Sequence, residues 1–415
     1  MKKTISVLAL ASVFAAGSAF ASAYRIPEQS VDSTSKAGAN IASAEHADAT
    51  YFNPANMSWL ANSWQIEGDM SYIHLTSVDY TDARSSTLNG SSKEENFLLP
   101  QMFLVSPDFN NFRFGFSITE PFGLAKRWDD PYPRAFANKF DLKVFEFNPT
   151  VSYKINKIFS VAGGVRMLYS QATVSNNLSS IPGSGGTTRF MDGDTTAWGY
   201  NLAVSARPDD KSNISVTYRS NVDLDLSGDV SFGPGYIPGL RALKTSGNVT
   251  VEAPAVLAIS GSYTFFDKLT VELTWDRTFW STYKNLDFHY ATNIGPYYGG
   301  SFGAVIPKNW EDCNAYRLGL SYKATKITTL MAGFAYDESP APDSTLGFEL
   351  PDSNAYLFSL GARFQVTPQM NLGLGLLYDM KTDRSANNLA AGGRVDGEFT
   401  NSSAILATVG LTYTF

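Results

Sequence analysis

The chain has 415 residues, a single cysteine, three histidines and a formal net charge of −7 at pH 7. The acidic balance lacks the electrostatic attraction that nucleic-acid binding needs, and one cysteine excludes a disulfide framework. The histidines are too scattered for a zinc site, and we find no phosphate-cradling glycine loop, so we expect no enzyme activity, metal or cofactor.

The first residues read as an export signal. Two lysines open the chain, residues 5–16 form an apolar stretch too short to span a bilayer, and Ala19-Phe20-Ala21 has the small-x-small pattern of a cleavage site. We predict a signal peptide at residues 1–21 that is removed after Ala21.

Residues 22–63 are predicted to form a hatch inside a wide barrel. The segment is small, polar and turn-rich, without alternation, yet it holds large apolar groups that disordered tails lack. These are Tyr24, Ile26, Tyr51, Phe52, Met57, Trp59 and Leu60. A barrel of many strands has a lumen too wide to be filled by its own side chains. A plug would occupy that space.

Residues 64–415 are predicted to form a transmembrane antiparallel β-barrel. No later stretch approaches the ~18–20 apolar residues of a membrane helix. The recurring pattern is alternation with period 2, broken by turn-forming clusters. In lipid, only helices and closed barrels satisfy all backbone polar groups. For an exported chain, this places the protein in the outer membrane of a Gram-negative bacterium.

The pattern predicts about fourteen strands, an even number, as bacterial barrels have. The clearest is the last, where Ile405, Val409, Leu411, Tyr413 and Phe415 share one face, although a sandwich edge strand is the alternative. The others are predicted near 64–80, 96–107, 112–125, 140–155, 158–175, 194–207, 213–230, 247–265, 268–288, 310–324, 326–339, 353–366 and 368–383. Short periplasmic turns alternate with long extracellular loops. Aromatic residues at the strand ends suit interfacial girdles, or alternatively line a hydrophobic path.

Prolines in three neighbouring strands predict an irregular wall. Pro121 lacks a backbone donor, and Gly123 relaxes the steric limits nearby. Proline is normally confined to strand edges or bulges. Pro100 and Pro149 lie in the strands on either side. A locally opened wall would explain all three, and the alternative places each proline harmlessly near a strand end.

Four patches resemble the long-chain fatty acid transporter family, the FadL type, and with the strand layout they cover nearly the whole mature chain. They are Asn53-Pro54-Ala55, then Ser117-Ile118-Thr119-Glu120-Pro121-Phe122-Gly123-Leu124-Ala125, then Asn314 to Leu320 with Trp310 before it, and finally Ala335 to Pro340 with Leu350 to Ser353.

The resemblance implies a barrel whose third strand is kinked inward, at Ser117, Glu120, Pro121, Phe122 and Gly123. The kink would leave a lateral opening through which ligand moves from an internal pocket into the bilayer, without a hydrolysed energy source. The hatch turn Asn53-Pro54-Ala55 would press against the kinked strand. A turn that only helps the hatch to fold is the alternative.

The resemblance also implies where a ligand binds. Loops 231–246 and 176–193 would form an extracellular groove, and the first of these contributes Tyr236, Ile237, Leu240 and Leu243. A lid made by the two loops packing together is the alternative.

In the internal pocket, Lys308 would hold a carboxylate, and Tyr24 and Ile26 would contact the ligand. Lys308 is alternatively a loop charge that contacts lipopolysaccharide. A second basic residue expected near Ser170-Gln171-Ala172-Thr173 is missing, which leaves room for an uncharged monoaromatic hydrocarbon.

Together these features predict a passive uptake channel for small hydrophobic molecules, above all long-chain fatty acids. A general porin and a surface adhesin or phage receptor are the rival functions. The expected partners are outer-membrane lipid, lipopolysaccharide, a small hydrophobic ligand and, during biogenesis, the barrel-assembly machinery. We expect no nucleic acid and a monomeric protein.

Overall fold

The computed structural model describes residues 23–415. The predicted signal peptide, its cleavage site and the first residue of the predicted hatch lie outside the described residues. Within the described range, none of the helices has the length and apolar character of a membrane-spanning helix.

The main body is a closed antiparallel barrel of fourteen strands, as the alternation predicts. The strands are β1 (Gln65–Leu75), β2 (Glu95–Val105), β3 (Phe112–Lys126), β4 (Lys139–Lys154), β5 (Phe159–Asn177), β6 (Thr188–Ala206), β7 (Ser212–Arg219 and Val222–Gly233), β8 (Leu243–Ala253 and Val256–Phe265), β9 (Leu269–Thr278, resuming at Phe288–Tyr290), β10 (Cys313–Lys323), β11 (Thr328–Asp337), β12 (Ala355–Gln365), β13 (Met370–Lys381) and β14 (Ser403–Thr414). The ring closes where β14 pairs with β1, from Gln65 opposite Thr414 to Leu75 opposite Ala404.

The side chains of β14 alternate between a face towards lipid and a face towards the barrel interior. Ile405, Val409 and Leu411 are exposed on the outer face, whereas Leu406 and Thr408 are buried on the inner face. A transmembrane strand presents apolar side chains to lipid and more polar ones to the lumen.

Long connections at one end of the barrel carry extra elements, and the connections at the other end are short. A four-stranded sheet joins Asp79–Asp82, Gly90–Ser91, Arg384–Asn387 and Asp396–Thr400, and a two-stranded ladder joins Asn285–Leu286 to Ile306–Pro307. The helices at this end are α3 (Pro131–Ala137) and α4 (Gly295–Phe302), with 3-10 turns at Ser86–Leu88, Leu178–Ser180, Trp280–Thr282, Asp343–Thr345 and Leu389–Ala391. Buried aromatic side chains hold this end together, since Trp128 Nε1 donates to the Phe348 carbonyl at 2.8 Å.

The N-terminal segment, residues 23–63, lies within the ring. It contains α1 (Val31–Ser35), α2 (Ala49–Phe52) and a 3-10 helix (Pro54–Trp59). Asp32 forms an ion pair with Arg363 of β12, and Asn53 bonds to Ser205 of β6. A segment that bonds to strands on separate arcs of a closed ring has to pass through its interior.

Glycines on the inner wall allow α1 to approach the barrel closely. A Cβ atom on Gly361 would lie 1.9 Å from Ser35 Oγ, and one on Gly333 would lie 2.2 Å from the Lys36 carbonyl carbon. No side chain fits in these gaps without displacing the segment.

Buried carboxylates and guanidinium groups fix the N-terminal segment in place. Glu272 of β9 accepts hydrogen bonds from three successive backbone N–H groups, those of Ile41, Ala42 and Ser43, at 2.7, 2.9 and 2.8 Å. Arg363 pairs with both Asp32 and Glu67. Burial alone would raise the pKa of Asp32, but the charges of Arg363, His46 and Lys36 together outweigh it and hold that pKa below its usual range.

Candidate functional site

Strand β3 leaves its neighbour β2 halfway up the wall. Residues 115–118 pair with residues 102–105 of β2, and beyond them the described ladder between the two strands ends. The two strands meet again at the end of the barrel that carries the long connections. There Ser92 bridges to Trp128, and the Lys93 N–H donates to the Arg127 carbonyl at 2.8 Å. The wall therefore contains a window between residues 95–101 and 119–126, bounded above and below by backbone hydrogen bonds.

A bulge starts this divergence. The register between β3 and β4 shifts between Thr119 and Phe122, so that Glu120 and Pro121 oppose the single residue Phe145. When two residues of one strand oppose a single residue of its partner, the strand with the extra residue bends locally. Proline is suited to the position because it has no N–H to contribute to the ladder.

The N-terminal segment supplies the backbone partners that β2 does not. The Ile26 N–H donates to the Pro121 carbonyl at 2.8 Å, and the Gly123 N–H donates to the Tyr24 carbonyl at 2.9 Å. The Gln29 side chain accepts from the Glu120 N–H at 2.8 Å and donates to the Glu120 carbonyl at 2.9 Å. The bent strand thus keeps its backbone polar groups satisfied, as a membrane protein requires.

The predicted kink residues occupy this region. Ser117 is in the last regularly paired stretch, opposite Phe103 on one side and Asn148 on the other. Phe122 forms the isolated bridge with Arg25, one residue after the bulge at Glu120 and Pro121.

The other two prolines also lie at irregular positions. Pro100 falls in the stretch of β2 without a β3 partner, an edge that tolerates proline. Pro149 lies where the ladder between β4 and β5 skips two residues, and Asn148 Nδ2 donates to the Val165 carbonyl there at 2.9 Å.

The Asn53-Pro54-Ala55 turn lies elsewhere than expected. Asn53 Nδ2 donates to the Ile41 carbonyl and to the hydroxyls of Ser205 and Ser215, each at 2.9 Å, while the Ala55 carbonyl accepts from Ser160 Oγ at 2.9 Å. Pro54 begins the 3-10 helix. These partners are on β5, β6 and β7, whereas the hydrogen bonds to residues 120–123 of the bent strand come from residues 24–29. The side chains that flank the turn reach β3 lower down, where Thr50 and Met57 lie against Gly115. The Asn53 amide serves as a cross-link to the wall and makes no side-chain cap.

An apolar cavity lies behind the bent strand. Leu124, Phe140, Tyr283 and Trp310 contribute to its lining, and so does Tyr24. The Tyr24 ring packs against Trp280, with 4.7 Å between the ring centroids, and its hydroxyl donates to the Glu252 carbonyl at 2.5 Å. Burial raises the pKa of Tyr24 well above its usual value, so the hydroxyl stays protonated and remains a donor.

Lys308 lines this cavity, but its charge is already paired. Its side chain is only 3% exposed, and Nζ forms an ion pair with Glu349, which also lines the cavity. Asp141 is a further acidic lining residue. The cavity therefore holds one cation and two carboxyl groups, a balance that disfavours a ligand carboxylate. Sequence reasoning missed Glu349, because nothing in the loop before Leu350 marks it as the partner of a residue 41 positions earlier.

Ile26 is separated from the cavity. It belongs to a second buried apolar cluster with Phe97, Leu99 and Ala125, which come from the two sides of the window. Tyr24 belongs to the larger buried apolar cluster around the cavity, whereas Ile26 packs in the separate cluster at the window.

The predicted groove loops pack against each other. The Tyr236 N–H donates to the Gly185 carbonyl at 2.8 Å, and the Tyr236 hydroxyl donates to the Ser179 carbonyl at 3.1 Å. Tyr236 remains 70% exposed, and Ile237, Leu240 and Leu243 are partly buried. None of these four lines the apolar cavity of Lys308, and the geometry agrees with the lid alternative.

Comparison with known proteins gives a consistent result. The family model described as outer membrane protein transport protein (OMPP1/FadL/TodX) matches residues 12–415. Outer membrane protein P1 of Haemophilus influenzae is 26% identical, over 90% of this chain and 89% of that protein. The long-chain fatty acid transport protein of Escherichia coli (strain K12) is 22% identical, over 90% of this chain and 91% of that protein.

Solved structures share the fold. A Pseudomonas aeruginosa FadL homologue superposes with a TM-score of 0.81 at 22% identity, covering 94% of this chain and 99% of that one. The Pseudomonas putida toluene transporter TodX superposes with a TM-score of 0.73 at 16% identity, covering 94% and 99%. Identities this low support the architecture and leave the ligand to be argued from the site.

Proposed function

This chain belongs to the outer membrane protein transport protein family (OMPP1/FadL/TodX), and from that premise we propose that it is a passive uptake channel that takes a small hydrophobic molecule into its apolar cavity and releases it sideways into the membrane. The family is one of transporters and channels, which is why a transport role is the starting point. We propose residues 22–63 as the hatch that keeps the lumen closed to ions during transport.

The window in the wall carries this proposal. It lies directly beside the bent strand, and Leu124, on the same stretch of β3, lines the cavity behind it. Ile26, Phe97, Leu99 and Ala125 form an apolar cluster beside that stretch. A hydrophobic ligand that left the cavity past these side chains would avoid contact with water, and apolar surface transferred to lipid remains favourable.

Two cargoes agree with these features. Long-chain fatty acids are the leading candidate, and relatives with matching length are named for their transport. The pairing of Lys308 with Glu349 favours the second candidate, an uncharged monoaromatic hydrocarbon, such as the toluene for which TodX is named. Under either cargo, the cavity beside Trp310 holds the apolar part of the ligand.

The bulge offers a direct test of lateral release. Deleting Pro121 alone leaves Glu120 opposite Phe145, so that β3 and β4 pair one to one and β3 has no bulge to bend it away from β2. We expect uptake of labelled oleate and toluene, by cells that lack other transporters of this kind, to fall about tenfold or more.

Pro149→Ala is the matched control, because it changes a proline in the neighbouring strand and leaves the bulge intact. Both variants should run as folded barrels on a gel without heating. Uptake at the wild-type rate by the folded deletion variant would refute release through the window.

A further inference from the structure

A second cavity lies deeper in the lumen, between the N-terminal segment, the bent strand and β5, β7, β8 and β9. Its lining includes Arg25, Arg166 and Arg219. The Tyr24 and Phe122 rings, with centroids 6.4 Å apart, lie between it and the cavity of Lys308. None of the four sequence patches that carry the family resemblance draws attention to these arginines.

Two of the arginines share one carboxylate. Arg166 Nε donates to Glu146 Oε2 at 2.9 Å, and Arg219 pairs with the other oxygen of Glu146. The side chains of Arg166, Arg219 and Glu146 are 1%, 14% and 0% exposed. The triad carries one net positive charge in the protein interior. A buried charge without a counter-charge is costly, so a site of this kind favours an anion.

Arg25 approaches the same cavity from the N-terminal segment with free donor capacity. Its Nη1 donates to Thr278 Oγ1 at 3.3 Å and lies 3.6 Å from Asp276. Asp276 is closer to Arg317, at 2.9 Å. Among the hydrogen bonds of residues 23–415, none uses Arg25 Nε or Nη2. A ligand oxygen would therefore find unused N–H groups here.

Apart from Asp276 and Thr217, the rest of the lining is apolar. Tyr51, Phe52 and Val256 face the same space, and the Arg219 guanidinium lies 4.2 Å from the centroid of the Tyr51 ring. A cavity that combines guanidinium groups with aromatic and aliphatic walls suits an amphiphile with one anionic end and an apolar chain.

We propose that this second cavity is a head-group subsite, in which Arg25 and Arg219 hold the carboxylate of an amphiphile while its chain extends past Tyr24 towards the cavity of Lys308. The subsite rests on the proposed function, because the ligand reaches it through that first cavity. The two cavities then have different roles. The cavity of the paired Lys308 contacts the hydrocarbon chain of the ligand, and the arginines contact its carboxylate. Arg166 positions Arg219 through Glu146.

The test compares two probes of equal chain length, dodecanoate and the uncharged dodecanol. Their binding to the purified full chain is measured by calorimetry in a non-ionic detergent. We expect dodecanoate to bind more tightly, and Arg25→Gln and Arg219→Gln each to weaken it about tenfold or more, because each removes a charge-assisted hydrogen bond. Dodecanol affinity should stay unchanged, which also reports that the variants are folded.

Two further variants sharpen the result. Arg25→Lys keeps the charge and should retain most of the dodecanoate affinity. Arg277→Gln is the matched control, because it removes an arginine paired with Asp312 outside this cavity. It should change neither probe.

Other outcomes overturn the proposal. If Lys308→Gln abolishes dodecanoate binding and the arginine variants do not, the head group sits at Lys308. If both probes bind with equal affinity and the arginine variants change neither, solvent alone compensates the positive charge of the triad. The proposed function then stands without the subsite. If neither probe binds, the subsite fails, and the proposed function fails for a fatty-acid cargo.

Discussion

The ion pair between Lys308 and Glu349 decides what the first cavity accepts. A lysine in an apolar cavity predicts affinity for a carboxylate, but a carboxylate from the chain's own loop occupies that position. A ligand acid would have to displace Glu349, and Asp141 nearby adds to the repulsion. Glu349, which no sequence pattern indicated, therefore changes the cargo that is expected.

Glu349→Gln should therefore shift selectivity towards acids. Freeing the Lys308 ammonium adds a charge-assisted hydrogen bond for a carboxylate, which corresponds to a rise of about tenfold or more in the ratio of oleate to toluene uptake. Lys308→Met in the same background should remove the gain. An unchanged ratio in folded Glu349→Gln would mean that the ligand carboxylate never approaches Lys308.

The sequence indicated Lys308 as a candidate site residue, but it did not indicate Glu349 as its partner. The sequence places a lysine near Trp310, but the pairing depends on two extracellular loops meeting in space. The same holds for Arg166 and Arg219, which are on different strands and share Glu146 on a third. Alternation predicts which face each side chain occupies, and it carries no information about partners across the lumen.

The N-terminal segment contains two buried acids, Asp32 and Asp48, whose pKa values shift in opposite directions. Asp32 pairs with Arg363, while burial, followed by the charges of Glu67 and Asp32, raises the pKa of Asp48 to about 7. Asp48 accepts hydrogen bonds from Ser30 Oγ and Asn40 Nδ2, both at 2.7 Å. Ionised Asp48 thus adds a second negative charge beside Glu67.

This arrangement predicts that the segment is held more weakly at neutral than at acidic pH. An acid whose folded pKa lies above its unfolded value stabilises the fold fully below the unfolded pKa, and that contribution is lost as pH rises through the folded pKa. For Asp48, and for Glu28 with a pKa also raised to about 7 by burial, the loss falls between about pH 4 and about pH 7.

Planar-bilayer conductance measures the consequence, because a loosened segment admits ions. We expect current through the wild-type protein to rise between about pH 4 and about pH 7. Asp48→Asn, which cannot ionise, should reduce that rise. A pH-independent current in the wild-type protein would contradict the assignment, and an equal rise in both proteins would place the cause in another group.

The strands were predictable and the contacts of the N-terminal segment were not. Period-2 alternation is a property of each strand alone, so all fourteen strands follow from it. Pro121 marked the bend in β3. The partner of that bend is Tyr24 to Gln29, which shows no strand pattern because it pairs over a few residues only. The Asn53 turn had the stronger local signal and packs against other strands.

At the scale of the whole molecule, the protein is a closed barrel with a window in its wall, an internal segment that pairs with the window's edge, and two cavities behind it. The apolar cavity would hold the chain of the ligand, and the window would lead that chain into lipid. General porins need a continuous wet lumen, which a segment bonded to strands on several sides of the ring obstructs.

Photo-cross-linking during uptake tests the route through the wall most directly. A fatty acid with a diazirine at the end of its chain is supplied to cells and irradiated, and the labelled peptides are identified by mass spectrometry. We expect labels beside the window, at Ile26 and at residues 97–99 of β2, and we expect them to disappear on deletion of Pro121. Labels confined to the other end of the segment, around Pro54–Trp59, with none on β2, would contradict lateral release.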